Sequence, residues 1–197
     1  MAVDLTGLKI GGGSQPVPVD FGGTLTPALG GPVQHIDRVG SRWSWQIVTP
    51  TMHEEPDGRI WRARLHKAQK TTGLILIPEP DLVIGNPGAP VVATNIAAGR
   101  LLAISGLTAG FVIPEGKWLS LIVNGQRYAD KVEEQVTASA GGTATVTLRN
   151  LLRVPLAGGE TVELAAPKLE GSISPDIGGV IDDNRHTSFS FTITEDA

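Results

Sequence analysis

Apolar and polar residues alternate over short stretches along most of this chain, and a helical period appears only once. In Arg42–Val48, RWSWQIV, the side chains of Trp43, Trp45 and Ile47 fall on one face. That period of two predicts a strand whose tryptophans anchor a core. The pattern recurs at the end of the chain in TSFSFTIT, residues 187–194, where Phe189, Phe191 and Ile193 share a face and Ser and Thr fill the other. A strand of this kind needs a sheet to cover its apolar face. It is expected to return to the sheet of Trp43 and Trp45.

The single helical period lies at 54–69. Ile60, Trp61, Leu65 and Ala68 form a stripe at helical spacing, with Arg59, Arg62, Arg64, Lys67 and Lys70 on the remaining surface. Pro56 suits a first turn, Thr51 or Asp57 is the candidate cap, and Gly73 follows the end. The segment 73–92, GLILIPEPDLVIGNPGAPVV, comes next. Its prolines fix φ and remove donors, so it is read as a rigid crossover that can neither continue the helix nor form a central strand.

From about residue 95 the pattern is all β. Apolar runs fall at 101–104, 111–113, 151–154 and 161–164, and TATVTL at 143–148 alternates. Trp118–Val123, WLSLIV, is apolar on both faces and is followed by Asn124-Gly125. That dipeptide is a strong hairpin signal, because both turn positions favour φ > 0. The return strand is expected over 126–132 and includes Tyr128. Turn signals recurring at this spacing predict a small barrel or sandwich. The N-terminal third differs: a short strand is expected within 5–10, followed by a Gly/Pro-rich arm at 11–32 with few large apolar residues. Such an arm buries little of itself and is expected to be mobile or to be ordered by a neighbouring chain.

The expected fold class is therefore mainly β. A β-sandwich domain of residues 1–96 and 169–197, with one short helix and the arm, would carry residues 97–168 as an inserted small β-barrel.

Composition narrows the function classes. The 197 residues contain 25 Gly, 14 Pro and no Cys, with a net charge of −4. An acidic balance disfavours nucleic-acid binding as the main activity, since phosphate neutralisation needs a basic surface. Without cysteine there is no disulfide framework, thiolate zinc site or cysteine nucleophile. The start of the chain lacks a signal-peptide pattern, and no apolar run has the length of a membrane span. The expected site of folding is the cytoplasm.

Catalytic motifs are sparse. His53-Glu54 begins like a zinc-protease helix, but the second ligand position holds Asp57, with Pro56 before it. His35, His66 and His186 show no ligand spacing. Gly11-Gly12-Gly13-Ser14 has no lysine or helix after it to make a phosphate loop, and 12–16 lacks the last glycine of a nucleophile elbow. Asp182-Asp183-Asn184, near Asp176, lacks the spaced oxygens of a calcium loop. The basic helix residues read as an outer charged face or an inter-subunit ion-pair surface. Trp118 and Tyr128 beside the hairpin are the candidate stacking residues for a sugar, with core packing as the plainer reading. No enzyme, cofactor or metal is expected.

One ordered pattern goes further. The Trp-containing strand 42–48 and the helix 54–69 are followed by IPEPDLVIGNPGAPVV at 77–92 and IPEGKWLSLIVNGQRYADKV at 113–132. Then come the Gly-led strand 142–148, Leu151-Leu152-Arg153-Val154, Ala166-Pro167-Lys168-Leu169-Glu170-Gly171, and the Asp/Arg loop with the SFSFTIT ending. Over residues 40–197 this order resembles the tail-tip proteins of bacteriophages with long non-contractile tails and of related prophages, most closely the distal tail proteins. The resemblance implies a structural virion protein without catalytic residues. It implies a ring, commonly hexameric, joining the tail tube to hub or fibre proteins, with a β-sandwich, a hairpin that clasps the next subunit, and in some members an outward barrel of oligonucleotide/oligosaccharide-binding type. Such a protein would be assembled in the host bacterial cytoplasm. The alternative is a carbohydrate-binding module for host-surface recognition, carried by residues 97–168 through Trp118 and Tyr128. The arm at 11–32 lies outside the resemblance.

Overall fold

Two six-stranded sheets, each with its own apolar core, organise the molecule in the computed structural model, which describes residues 2–11 and 15–196. The glycine run Gly11-Gly12-Gly13-Ser14 therefore falls partly, at 12–14, outside the described residues. The fold is mainly β, of sandwich type, with one short α-helix among the described residues.

The first sheet runs in the order Val3–Asp4, Gly73–Leu76, Lys168–Ile173, Ser190–Glu195, Arg42–Val48, Val17–Val19. The C-terminal strand pairs with Arg42–Val48 over Ser190↔Val48 to Thr194↔Ser44, and on its other side with Lys168–Ile173. Alternation places Trp43, Trp45, Ile47, Phe191 and Ile193 in one core with Trp61 and Leu65 of the helix. Burying aromatic side chains of this size contributes about 1.5–3 kcal/mol each. At the N-terminus the strand is Val3–Asp4, parallel to Gly73–Leu76, and Leu5 is fully buried. The strand expected within 5–10 thus lies earlier in the chain.

The helix spans Arg59–Ala68, shorter than the expected 54–69. Glu54–Gly58 forms a π-type turn containing an extended residue, Glu55, with φ −112° and ψ 127°. The residue before a proline is driven out of the α region, so the regular helix can begin only after Pro56. Neither Thr51 nor Asp57 caps it; the cap position is Gly58, and no side chain bonds to the helix start. Ile60 is only half-buried, while Trp61, Leu65 and Ala68 face the core.

The second sheet runs Gln126–Lys131, Trp118–Val123, Thr161–Glu163, Gly88–Val92, Leu101–Leu107, Ala144–Thr147. A bridge between Val132 and Leu148 brings its two ends together, so the sheet curls towards a barrel. Its interior holds Val92, Leu102, Ile104, Leu119, Leu121, Val146 and Val162. At the hairpin turn, Asn124 has φ 53° and Gly125 φ 83°, as two successive positive-φ positions require. Residues 151–154 form no strand.

The reading of 73–92 as devoid of central strands is overturned. Gly73–Leu76 is interior to the first sheet and Gly88–Val92 to the second. Pro90 is tolerated because its missing N–H falls on the side of Thr161–Glu163, where the pairing ends at Thr161↔Val91, while the register with Leu101–Leu107 slips in a bulge between Gly88 and Val91. Gly106, at φ 77°, makes room: a Cβ there would strike the carbonyl oxygen of Ala89.

Candidate assembly surface

Residues 17–41 leave the first sheet at its edge strand and build a hairpin whose residues 23–36 belong to neither core. Val17–Val19 is the edge strand of the first sheet, paired with Arg42–Val48, and Gly23–Leu25 then pairs with Gln34–Ile36. The base is fixed by local bonds. Asp20 Oδ1 accepts from Gly22 N at 2.7 Å and from Ser41 Oγ at 2.9 Å, while Phe21 N donates to Ser41 Oγ at 3.3 Å. The Gly22 and Ser41 bonds hold the Asp20 carboxyl below its usual range. The Arg42 guanidinium lies 5.2 Å from the Phe21 ring centroid, and Arg100, just before Leu101–Leu107 of the second sheet, reaches Asp37 at 3.8 Å.

Beyond that base the hairpin exposes apolar side chains. Leu25, Val33 and Ile36 are exposed, and Leu29 at the tip is 101% exposed. The tip, 26–33, carries no charge. An isolated two-stranded hairpin is marginal in water, and exposed apolar side chains at its end make it an unfinished interface.

A second feature joins the two sheets. The strand Gln126–Lys131 lies against the first sheet, and Trp118 packs edge-on against Trp43 with ring centroids 4.5 Å apart. Around this contact sits a buried polar network. Glu195 Oε1 accepts from Ala129 N at 2.7 Å; its Oε2 accepts from Trp43 N at 2.9 Å and from Arg153 Nη2 at 2.9 Å. Burial raises the Glu195 pKa, although Arg153 and the two backbone N–H groups oppose that shift. Asp130 is pushed up to about 7, chiefly by burial and further by the Glu195 charge. The N–H groups of Lys131 and Asn150 donate to its carboxylate at 2.8 and 3.1 Å.

Two further contacts rivet the same seam. The Lys117 ammonium is buried against the Glu79 carboxylate, whose other oxygen accepts from Trp118 N at 2.9 Å. Burial lowers the Lys117 pKa, and Glu79 counteracts that shift. Glu163 binds both Arg127, at 2.9 Å, and Lys168, at 2.8 Å. Arg127 N also donates to Glu170 Oε2 at 3.1 Å.

The candidate stacking residues are engaged in this packing. Trp118 is 2% exposed and presents no face to solvent. Tyr128 is half-buried, and the Arg153 guanidinium lies 5.1 Å from its ring centroid.

The other candidates are dispersed. His53 and His186 sit opposite each other across a short strand pair, with rings 4.3 Å apart. His35 is on the arm, where its Nδ1 lies 3.1 Å from Thr24 Oγ1, and His66 is exposed on the helix. Among the described residues no three His, Asp or Glu side chains converge on a possible metal position. Asp182 Oδ1 accepts from His186 N at 2.6 Å, closing its own loop. On the helix, Arg59 pairs with Glu55, Arg62 with Glu54, and Arg64 Nη1 donates to the carbonyl of Asp4. These basic residues are thus partly absorbed within the subunit.

Sequence reasoning missed the buried network. Its one visible signal is parity, since Glu195 continues the inward series of Phe189, Phe191 and Ile193. No helix among the described residues is long and apolar enough to cross a membrane. A scan of protein-family models finds no match to the chain, and a search of curated proteins finds none either.

Proposed function

We propose that the protein is a structural subunit of a bacteriophage tail tip, of distal-tail type, and that it assembles through its N-terminal hairpin into a ring. The observation that carries this reading is the hairpin 17–41, firmly rooted at Asp20 and Ser41 yet exposing Leu25, Leu29, Val33 and Ile36 beyond its base. A subunit that lends an apolar arm to its neighbour makes a heterologous contact, and such contacts close into rings when the rotation per step allows. The ordered motifs from residue 40 to 197 support the same reading. The riveted seam between the sheets suits a protein that transmits load as a single piece, with no catalytic chemistry required.

On this reading the partners are further copies of the chain, most simply six in a ring, with a tail tube protein on one side and hub or fibre proteins on the other. The location is the virion. The sugar-binding alternative is not favoured, because Trp118 and Tyr128 are occupied by Trp43 and Arg153. Native mass spectrometry of the full chain, alone and with the tube protein of the same phage, tests the proposal. A ring-sized oligomer in either condition is expected; a strict monomer in both overturns it.

A further inference from the structure

The turn Asn124-Gly125 leaves an amide carbon and an amide nitrogen side by side without protection. Both residues are exposed, with φ 53° and 83°. The closing pair of the ladder is Val123↔Gln126, so its bonding bypasses the turn. Among the described residues neither the Asn124 side-chain amide nor the Gly125 N–H has a hydrogen-bond partner. A Cβ built on Gly125 would meet nothing within 4 Å, so no neighbouring group covers the glycine nitrogen.

Each of the other four asparagines lacks one of these conditions. Asn86 precedes Pro87, which has no N–H. The Asn150 side chain is engaged, its Nδ2 donating to Asp130 Oδ1 at 3.2 Å. Asn95 and Asn184 are exposed, but the following N–H is taken in each case. Ile96 N donates to the Leu156 carbonyl and Arg185 N to the Asp182 carbonyl, both at 2.9 Å.

We propose that Asn124 is a site of spontaneous deamidation and that its isoaspartyl product unpins the hairpin Trp118–Lys131. Gly125 N bonds to Asn124 Cγ, and its proton leaves, by way of a base, with the side-chain nitrogen as ammonia. Water then opens the cyclic imide. Its hydroxyl goes to one carbonyl carbon and its proton to the ring nitrogen. Opening at the side-chain carbonyl gives aspartate; opening at the backbone carbonyl gives isoaspartate, whose main chain runs through the former side chain. That longer link cannot keep the two-residue turn that sets the register Val123↔Gln126 and Ile122↔Arg127. Loss of these pairs would uncover Val123, which is buried in the second core.

Ageing of the full chain at mildly alkaline pH, followed by peptide mapping until the first asparagine amide is lost, tests the site. That first loss is expected at Asn124, as separate aspartyl and isoaspartyl forms. A first loss at Asn95, Asn150 or Asn184 overturns it. Hydrogen exchange then compares the isoaspartyl fraction with Asn124→Asp, which carries the same charge on an ordinary backbone. Faster exchange at 119–123 and 126–130 in the isoaspartyl fraction is expected; equal protection in the two overturns the effect on the hairpin.

Discussion

Arg153 Nη2 lies 2.9 Å from Glu195 Oε2, with both side chains buried. The pair ties the connection between Ala144–Thr147 and Thr161–Glu163 of the second sheet to the last strand of the first. Two backbone N–H groups, of Trp43 and Ala129, bind the same carboxylate, so its lone pairs are taken from three directions. Removing the arginine would leave a buried charge held only by amides. Arg153→Ala is expected to cost about 3–5 kcal/mol. Urea denaturation measures it, and a loss within experimental error would mean that the network contributes nothing.

The same network predicts a pH dependence. Asp130 titrates near its ordinary value of 3.8 when unfolded and at about 7 when folded. The folded state therefore binds the proton more tightly. The stabilising contribution is complete below the unfolded value and disappears as pH rises through about 7. Glu195, also raised, acts in the same direction. Melting temperature is expected to fall between about pH 4 and 7, and Asp130→Asn should flatten that slope. An unchanged slope in the variant would assign the effect to other groups.

Trp118 is a core residue shared between the two halves of the molecule. Its ring meets Trp43 in the first core, while its neighbour Leu119 belongs to the second. Trp118→Ala is expected to cost about 3–5 kcal/mol. Trp118→Phe should retain most of that stability. Chemical denaturation compares them; equal stability of the alanine variant and the parent would return Trp118 to the list of ligand-stacking candidates.

Gly171 is the tightest point of the first sheet. It lies in Lys168–Ile173 beside the C-terminal strand, and a Cβ there would fall on the backbone of Thr194. Backbone cannot swing aside as a flexible side chain can. Gly171→Ala is expected to separate the two strands and to lower stability by about 3 kcal/mol or more. Hydrogen exchange of 190–195 provides the check, since amide protection equal to the parent would show that the sheet absorbs the methyl group.

Much of the β framework was legible from local pattern. Arg42–Val48 and Trp118–Val123 appear where alternation and the Asn124-Gly125 turn placed them. The last strand returns to Trp43 and Trp45, as the alternation of Phe189, Phe191 and Ile193 implied. What could not be read was governed by long-range partners. Gly88–Val92 is a central strand because Gly106, far along the chain, leaves space for the bulge at Pro90. Local proline rules carry no information about that distant glycine. Glu195, Asp130 and Arg153 look like ordinary surface charges in sequence, and only the fold brings them to one place. On the assembly surface the arm was visible as a Gly/Pro-rich segment. Its division into a rooted base and an exposed apolar tip depends on Ser41 and Arg100, which follow it in the chain.

On the proposed reading, the hairpin holds neighbouring subunits together while contributing little to the fold of its own. Replacing residues 23–36 with a two-glycine turn leaves Asp20, Ser41 and Asp37 in place. Mass photometry of this variant beside the parent, with thermal melts of both, is the most direct test. Ring-sized particles are expected for the parent and single subunits for the variant, with melting temperatures within a few degrees of each other. Rings of equal abundance from the shortened chain would contradict it.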